Sequence, residues 1–436
     1  MTNPPPPWPV ERLKDVAAIN ASSLPAGTPG DYELDYVDIS NVNYFGMVDA
    51  AAVPRLRFEE APSRARRRVR ANSTIISSVR PNLQAAAFFA TPGADLVCST
   101  GFNTVETDAS RLTPRFAYYT LISEGARQHF EAHATGVGYP AIGDRAFEVV
   151  AVRLPPKGEQ DRIAAFLDAS CTVIDRALAT KTDQIAVLGT TLRSSIERAV
   201  TGATSGVPRR SAPRDWLKTV PAHWSVVQIK RVLKAMDYGI SVATSPEGRF
   251  PVLKMGHLQA GELVMDKIDF VDEVDSSLLL QPGDVLFNRT NSKDQVGKAA
   301  IFRGEEADGV TFASYLVRVR ANHRILPEFL NYAVNCDGFL AFARCLAIPS
   351  VAQSNLNSTR YAQLVVPLPP LDEQAAIVRD LDDLRARVAS VSKVLGEQRD
   401  VLGSLRKSLI HECVTGIRRV SQEDLNRVLH HAVLPS

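Results

Sequence analysis

An internal repeat constrains the fold of this chain more than any other feature of its sequence. The segment Leu154–Gln160 recurs as Leu368–Gln374, an offset of 214 residues, and Val200–Gly202 recurs as Val414–Gly416 at the same offset. Between these anchors the register continues without a gap through pairs of identical residues: Ile163 and Ile377, Leu167 and Leu381, Asp168 and Asp382, Gln184 and Gln398, Leu188 and Leu402, and Ile196 and Ile410. Such a match along the whole segment predicts one structural unit that is used twice.

The regions in front of the two copies also correspond, though more loosely. Trp8 and Val10 match Trp224 and Val226 at an offset of 216 residues. The chain is therefore predicted to alternate a variable region with a preserved one and to repeat both. The predicted divisions are a first variable domain at 1–153, a first long helix at 154–203, a linker at 204–215, a second variable domain at 216–367, a second long helix at 368–417 and a tail at 418–436.

Both preserved segments are predicted to be long helices. Each opens with Pro-Pro and then lacks proline until past the repeat, and proline is tolerated at a helix start but not in its interior. Apolar residues in the second copy keep spacings of four and three, interrupted only at Gln398: Ile377, Leu381, Leu384, Val388, Val391, Leu395, Leu402, Leu405 and Leu409. This heptad seam predicts that the two long helices pack on each other, and antiparallel packing is able to place the variable domains at opposite ends. The helices are expected to serve as a scaffold and a docking surface, without chemistry of their own.

The variable regions alternate short apolar runs with turn signals and helical stretches. Strands are predicted at Tyr36–Ile39, Thr74–Ile76, Val149–Leu154, Phe250–Met255, Asp284–Phe287, Tyr315–Val319 and Gln363–Leu368, and helices at Pro114–His129 and Pro327–Arg344. The predicted fold class is α+β: two mixed α/β domains separated by two long antiparallel coiled-coil helices, with a pseudo-two-fold internal repeat.

Polar side chains follow a predicted strand at the same place in both variable regions. In the second region a Pro-Gly-Asp turn and an apolar run lead to Asn288, Arg289, Thr290, Asn291 and Lys293, and in the first region the equivalent residues are Ser77, Ser78, Arg80 and Asn82. Arginine and asparagine can bond bidentately to guanine and adenine edges in the DNA major groove. Two loops at one position with different side chains suit two readers of different sequences, although a polar loop that is merely solvated remains the alternative.

A basic run in the first variable region is a candidate for phosphate contacts. It contains Arg64, Arg66, Arg67, Arg68 and Arg70, and its alternative interpretation is a solvated face. Further candidate DNA contacts in the variable regions are Lys254, His257, Gln353, Asn355 and Tyr139.

Composition excludes several classes of protein. The five cysteines do not approach a C-x-x-C spacing, so neither a disulfide framework nor a zinc site is expected. The sequence has no signal-peptide pattern and no long apolar run, so we expect a cytoplasmic protein away from the membrane. The net charge of +2 means that any DNA-binding surface must be local.

These features resemble the DNA-specificity subunit of type I restriction-modification systems. The resemblance is carried by the repeated entries Leu154–Gln160 and Pro367–Gln374, the helices that end in Val-Thr-Gly, the domain starts at Trp8 and Trp224, and the strand Pro282–Arg289. It implies two target-recognition domains that read a two-part DNA sequence for phage defence. The implied partners are double-stranded DNA, two adenine-methyltransferase subunits and ATP-dependent nuclease/translocase subunits, which would bind S-adenosylmethionine, ATP and Mg. The first copy departs from the pattern at Lys157 and Gly158 and lacks a clear Pro-Gly-Asp.

No catalytic motif is convincing in this sequence. Asn3-Pro4-Pro5-Pro6 lacks the aromatic residue of the adenine-methyltransferase motif, and Gly297-Lys298-Ala299 lacks the other residues of a phosphate-binding loop. A non-catalytic specificity subunit is favoured, with two alternatives kept open. One is a coiled-coil interaction adaptor without selectivity among DNAs, and the other is a fused methyltransferase or nuclease.

Overall fold

The computed structural model of this chain describes residues 8–42, 48, 50–80, 85–136, 138–203, 206–305, 309–350 and 353–432. The chain forms two compact units. The first unit comprises Met1–Asp183 and Leu395–Ser436, and the second unit comprises Gln184–Val394. The division falls inside both long helices, so each unit contains one part of each helix. The sequence-based domain boundaries, which gave each helix a segment of its own, stay a prediction.

The first unit contains ten strands and four shorter helices among the described residues, together with parts of the long helices. The strands are β1 (Val10–Arg12), β2 (Ala17–Ile19), β3 (Glu33–Val37), β4 (Arg55–Arg57), β5 (Ala65–Arg68), β6 (Ser73–Ser77), β7 (Ala86–Phe89), β8 (Leu96–Ser99), β9 (Phe102–Thr107) and β10 (Ala151–Arg153). The shorter helices are α1 (Pro114–Leu121), α2 (Glu124–His133), α3 (Asp144–Glu148) and α9 (Gln422–Ala432), and the long helices are α4 (Lys157–Val200) and α8 (Leu371–Thr415).

The second unit is richer in strands. They are β11 (Arg209–Arg214), β12 (Leu217–Pro221), β13 (Ser225–Gln228), β14 (Leu233–Tyr238), β15 (Phe250–Leu253), β16 (Leu258–Gln259), β17 (Gly261–Leu263), β18 (Asp269–Val271), β19 (Val285–Asn288), β20 (Thr290–Asn291), β21 (Ala299–Ile301), β22 (Thr311–Phe312), β23 (Leu316–Ala321), β24 (Ile348–Ser350), β25 (Gln353–Asn355) and β26 (Val365–Leu368). Its shorter helices are α5 (Pro327–Asn335), α6 (Asp337–Cys345) and α7 (Ser358–Gln363).

The two units repeat the same sheet plan. In the first unit the strand order is β2-β9-β6-β7, with β4-β3-β8-β5 as a second sheet and β1 paired with β10. In the second unit the corresponding order is β14-β23-β19-β21, extended by β17 and β16, and β13 pairs with β26. Strands β6 and β19 are buried along their whole length, because each lies inside its sheet with helices packed on it. This repeated plan confirms the predicted pseudo-two-fold fold class.

Each predicted strand range contains a strand, but several are shorter than predicted, since Ile39 and Met255 begin short 3-10 helices and Gln363 ends α7. Each predicted helix of the variable regions is two helices. α1 ends at Leu121, and Ser123 caps α2, because its side chain accepts a hydrogen bond from the backbone amide of Ala126. Cys336 has an extended backbone between α5 and α6. A serine at an N-cap competes with helix continuation by bonding to the backbone of the next helix.

The long helices run antiparallel within each unit. In the first unit the start of α4 shares a buried core with the end of α8, which includes Ile163, Leu167 and Ile410. In the second unit the end of α4 meets the start of α8, where Val200 and Leu381 are buried. The predicted seam is not buried throughout, since Val391 and Leu405 are exposed. Burial of these helices comes partly from the mixed α/β layer of each unit rather than from a continuous two-helix seam.

The glutamine of the repeated Glu-Gln positions one short helix in each unit, which is α1 in the first unit and α5 in the second. The Gln160 side-chain oxygen accepts a hydrogen bond from the Thr113 amide at 2.7 Å, and its nitrogen donates to the carbonyls of Pro155 and Arg111. Gln374 makes the same set of bonds to the Leu326 amide and to the carbonyls of Pro369 and Arg324. Both glutamines are buried, so each satisfies polar backbone groups that water does not reach.

The repeated Val-Thr-Gly is explained by close packing on tryptophan. Gly416 has a φ of +79°, and a Cβ there would lie 3.0 Å from the Trp8 ring. Gly202 has a φ of +62°, and a Cβ there would lie 2.4 Å from the Pro221 ring and 3.0 Å from the Trp224 ring. Each tryptophan at a domain start is therefore matched with a glycine at the end of a long helix. No helix in the described part of the chain combines the length and apolar character needed to cross a membrane.

Candidate nucleic-acid interface

Both units build the same backbone connection at the end of their central strand. After β19 the Arg289 amide donates to the Tyr315 carbonyl at 3.0 Å, and the Leu356 amide donates to the Arg289 carbonyl at 2.8 Å. After β6 the Ser78 amide donates to the Gly101 carbonyl, and the Ile142 amide donates to the Ser78 carbonyl, both at 2.8 Å. Arg289 and Ser78 therefore occupy the same place in the repeat.

The residues that follow also pair in the same way. In the second unit, β20 pairs with β25, which pairs in turn with β24. In the first unit, Val79 pairs with Ala141, which also pairs with Thr135. We call this arrangement, a strand end clasped by a short hairpin, the strand-end clasp of each unit. It brings together residues that are far apart in the sequence.

The guanidinium of Arg289 is held against an aromatic ring in the second clasp. Its central carbon lies 5.2 Å from the ring centre of Tyr238, within range of a cation–π contact. The Tyr238 hydroxyl is hydrogen-bonded to the Ser358 hydroxyl, and the side chain is 46% exposed. Tyr315, whose carbonyl fixes the Arg289 amide, is similarly exposed. The Arg289 side chain is partly exposed, and its Nε atom is buried without a hydrogen bond from the described residues.

The other predicted residues of this clasp divide between its surface and its interior. Asn355 donates to the Thr290 hydroxyl at 3.2 Å, and the Asn291 carboxamide oxygen accepts from the Ser292 amide at 2.8 Å. Lys293 and Gln353 are exposed beside them. Thr290 is buried, so its hydroxyl serves the hairpin.

Asn288, at the end of β19 beside the clasp, and Asp284, before the start of β19, are both buried. Asn288 is 1% exposed, and its side-chain oxygen is buried without a hydrogen bond from the described residues. Asp284, from the predicted Pro-Gly-Asp turn, is buried and accepts two hydrogen bonds of 2.7 Å from Arg320. In the described conformation the Asn288 side chain does not reach the surface, so its predicted contact with DNA bases stays untested.

The first clasp carries different side chains on the same backbone. Arg80 has a φ of +49°, and its guanidinium lies 4.4 Å from the ring centre of Tyr139, which is 72% exposed. Ser77 and Ser78 donate to the carbonyls of Val79 and Gly101, so both hydroxyls hold the local backbone. The prediction for Asn82 falls outside the described residues.

The arginines of the predicted basic run lie on and around β5, and their side chains do not all point to the same side. Arg67 points inward, where it donates to the Phe102 carbonyl and to Asn103, and burial lowers the pKa of its guanidinium. Arg64 and Arg70 are exposed, and Arg68 is partly exposed. Arg66 lies 4.4 Å from the Phe58 ring centre. A phosphate-contacting role therefore fits Arg64, Arg68 and Arg70 better than Arg67.

Lys254 and His257 belong to a local turn. The Lys254 ammonium pairs with Asp269, and this hydrogen bond holds the pKa of that carboxyl below its usual value. His257 is buried and bonded to the Lys254 amide and the Asp266 carbonyl. These contacts give both side chains structural partners. Among the described residues, no group of three or more His, Cys, Asp or Glu side chains is placed to hold a metal ion.

Sequence reasoning missed Tyr238, Tyr315 and Ser358 as parts of the clasp. Tyr238 ends β14, and its neighbour in the fold, β23, begins about 80 positions later in the chain. No local pattern marks such a residue, because only the strand pairing brings it beside Arg289.

A family model and several curated proteins match this chain. The model described as the type I restriction modification DNA specificity domain matches residues 5–186 and 221–395. The putative type I restriction enzyme MjaX specificity subunit of Methanocaldococcus jannaschii is 25% identical over 202 residues, which are 45% of this chain and 46% of that protein. The type I restriction enzyme EcoKI specificity subunit of Escherichia coli K12 is 24% identical over 298 residues, which are 66% of this chain and 62% of that protein. The chain thus matches about half to two thirds of the length of these relatives.

A solved structure has the same fold. It comes from work on complex assembly and conformational transition of the type I R-M system, and one of its chains matches with a TM-score of 0.71 and 21% identity. The match covers 95% of this chain and 99% of that chain. The likeness therefore extends over both units and both long helices.

Proposed function

This chain belongs to the family of type I restriction modification DNA specificity domains, and from that premise we propose that it is the non-catalytic subunit that selects the DNA target of a type I restriction-modification complex. The family resemblance inferred from the sequence is confirmed. Each unit would read one part of a two-part target. The proposed place of action is the cytoplasm, where bacterial and archaeal DNA lies.

The strand-end clasp is the observation that carries this proposal. Both units use the same backbone hydrogen bonds, yet they present Arg289 with Tyr238 in one and Arg80 with Tyr139 in the other. A protein domain that recognises a DNA sequence needs a rigid backbone on which different side chains can be placed. The reason is that base pairs are distinguished by the hydrogen-bond donors and acceptors along their edges. A protein adaptor that ignores DNA sequence gains nothing from variable side chains at this point.

Because we propose that this chain only selects the DNA target, other subunits must carry out methylation and cleavage. Two adenine-methyltransferase subunits would dock on the chain and bind S-adenosylmethionine, and nuclease/translocase subunits would bind ATP and Mg. Docking on the long helices is supported by a stripe of exposed apolar side chains at spacings of three, seven and four residues on α8, because contiguous exposed apolar surface marks interaction sites; the stripe consists of Val391, Val394, Val401 and Leu405.

The test is to map methylated adenines across the genome of a host with and without this chain. We expect one two-part motif to lose methylation when the chain is deleted and to regain it on complementation. The purified chain alone should neither methylate nor cut DNA. Unchanged methylation together with partner binding would favour the adaptor, and methyl transfer by the chain alone would favour a fused enzyme.

A further inference from the structure

The hairpin of the second clasp carries three side chains in a line across its strands. Asn355 of β25 stands directly opposite Thr290 of β20 on one side and directly opposite Ile348 of β24 on the other. Residues directly opposite each other in antiparallel strands point to the same face, with Cβ atoms about 4.5 to 5.5 Å apart. We call Thr290, Asn355 and Ile348 the outer row of the second clasp.

The outer row faces away from the core of the second unit. Ser354 and Leu356 are buried, whereas Asn355 between them is partly exposed, so alternation along the strand turns Asn355 outward. Exposure rises along the row from Thr290, which is 9% exposed, to Ile348, which is 55% exposed. A two-stranded hairpin fits into the DNA major groove, so side chains on such a face can reach base edges.

The carboxamide of Asn355 is oriented by Thr290. Its nitrogen donates to the Thr290 hydroxyl at 3.2 Å, and this nitrogen carries a second hydrogen. Among the described residues, the carboxamide oxygen of Asn355 accepts no hydrogen bond. A donor beside an acceptor is the arrangement with which an asparagine side chain bonds to N7 and to the N6 amino group of adenine in the major groove.

The first clasp does not repeat the outer row. The shared backbone hydrogen bonds place Ala141 of the first unit where Asn355 lies in the second, and they place Thr135, opposite Ala141, where Ile348 lies. Alanine offers neither a donor nor an acceptor in its side chain. The outer row therefore distinguishes the two units, as a group that sets only one part of a target should.

We propose that Asn355 and Ile348 together read one A·T base pair, with the amide of Asn355 bonded to adenine and the side chain of Ile348 against the thymine methyl group. The proposal rests on the function proposed above. Adenine and the thymine methyl group lie on the same major-groove edge of one base pair, as the two side chains lie beside each other in the outer row. An adenine that is methylated is extruded from the helix, so the pair read here is a different one.

The test removes single groups from the DNA and measures affinity by fluorescence anisotropy, with the full chain and the methyltransferase partner present. The duplexes carry the motif found by methylation mapping, with each thymine replaced in turn by uracil and each adenine by 7-deazaadenine. One A·T pair should respond to both replacements. Loss of the methyl group should weaken binding about fourfold, and loss of the hydrogen bond to N7 should weaken it about fivefold.

Three variants connect these responses to their side chains. Ile348→Ala should abolish the uracil response at that pair and keep the 7-deazaadenine response. Asn355→Asp should do the reverse, because a carboxylate still accepts from the Thr290 hydroxyl but has no hydrogen for N7. Val264→Ala is the matched control, since it shortens an exposed β-branched side chain of the same unit outside the clasp, and it should keep both responses.

The proposal is overturned if the unaltered chain selects its motif but no A·T pair responds to both replacements. It is equally overturned if the uracil response survives Ile348→Ala, or if the 7-deazaadenine response survives Asn355→Asp. In those cases the outer row only stabilises the hairpin. Failure of the proposed function gives a different result, because the unaltered chain would then bind the motif and a scrambled duplex alike.

Discussion

Arg289 combines a fixed backbone with a fixed guanidinium, and this combination suits a side chain that reads one base. Hydrogen bonds hold both its amide and its carbonyl, and the Tyr238 ring lies beneath its charge. We therefore expect Arg289→Ala to lower the affinity for the cognate target by about 1 to 3 kcal/mol and to relax selectivity at one position. Binding should be measured with the methyltransferase partner present, against the cognate target and single-base variants.

A matched control for this prediction exists in the same unit. Arg249 is exposed and also stacks on a ring, 4.9 Å from the centre of Phe250, but it is not part of the strand-end clasp. Arg249→Ala should leave selectivity unchanged. If Arg289→Ala weakens binding to every DNA equally, then Arg289 contacts the DNA phosphates or stabilises the protein fold. The prediction that it reads a base would then be wrong.

The arginines around β5 should separate into two classes. Replacing Arg64 and Arg68 together with alanine should weaken binding to all sequences and reduce the salt slope by about 0.9 for each lost phosphate contact. Arg67→Ala should instead lower the free energy of unfolding, because Arg67 donates to Phe102 and Asn103 inside the unit. Anisotropy titrations over a salt series and urea unfolding measure the two effects. A salt slope that the double replacement leaves unchanged would contradict the phosphate role.

The sequence alone predicted that Arg289 lies just after a strand, but it did not predict which residues surround the arginine side chain. A turn, an apolar run and a polar cluster mark the end of β19 from local residues alone. Burial of Asn288 was not foreseeable, because it depends on whether the sheet is covered on both faces at the strand's last residue. Tyr238 became visible only once β14 and β23 were paired.

Among the elements, the two ends of the antiparallel long helices are held together differently. In the first unit Arg406 of α8 donates to Asp175 of α4 at 2.8 Å, with side chains 11% and 28% exposed. The repeat places Leu192 and Ala389 at the corresponding positions of the second unit. A charge pair at one end and apolar residues at the other break the symmetry of the repeat and can fix which ends meet.

The symmetry of the repeat gives a direct test of this pair. Asp175→Ala should lower the free energy of unfolding by about 2 kcal/mol, because it leaves Arg406 buried without this carboxylate, while the partial exposure of Asp175 limits the loss. Asp175→Ala combined with Arg406→Leu installs the residues of the second unit and should recover most of the loss. Urea unfolding followed by circular dichroism measures both, and a double variant less stable than the single one would contradict the explanation.

The long helices were the elements that the sequence predicted best, because proline punctuation and heptad spacing are local signals. The structural roles of the repeated Glu-Gln and Val-Thr-Gly could not be predicted from such local signals. Gln160 acts on Thr113 from 47 positions away, and Gly416 packs on Trp8 from the other end of the chain. Such residues stand out as a repeat, but their partners appear only in the fold.

On the scale of the whole molecule, each unit completes its core with a segment outside the repeat. The hairpin of β11 and β12 packs Trp216 on Phe339 in the second unit, and the tail with α9 seals the first. The mixed layer of each unit therefore has its own buried core and its own closing segment. We therefore expect that one variable domain can change without disturbing the core of the other.

A domain exchange tests that independence. Residues 216–367 contain the second clasp and all of its supporting strands, and they join the long helices through β13 paired with β26. Replacing this segment with the corresponding domain of a relative should change one part of the two-part target and leave the other part intact. The reason is that the first clasp is supported by contacts within 8–153 and by Gln160, none of which the exchange alters. The measurement is methylation mapping in a host that supplies the methyltransferase partner, with an exchange of residues 1–153 as the reciprocal control. A change in both parts of the target after either exchange would show that the units do not read DNA separately.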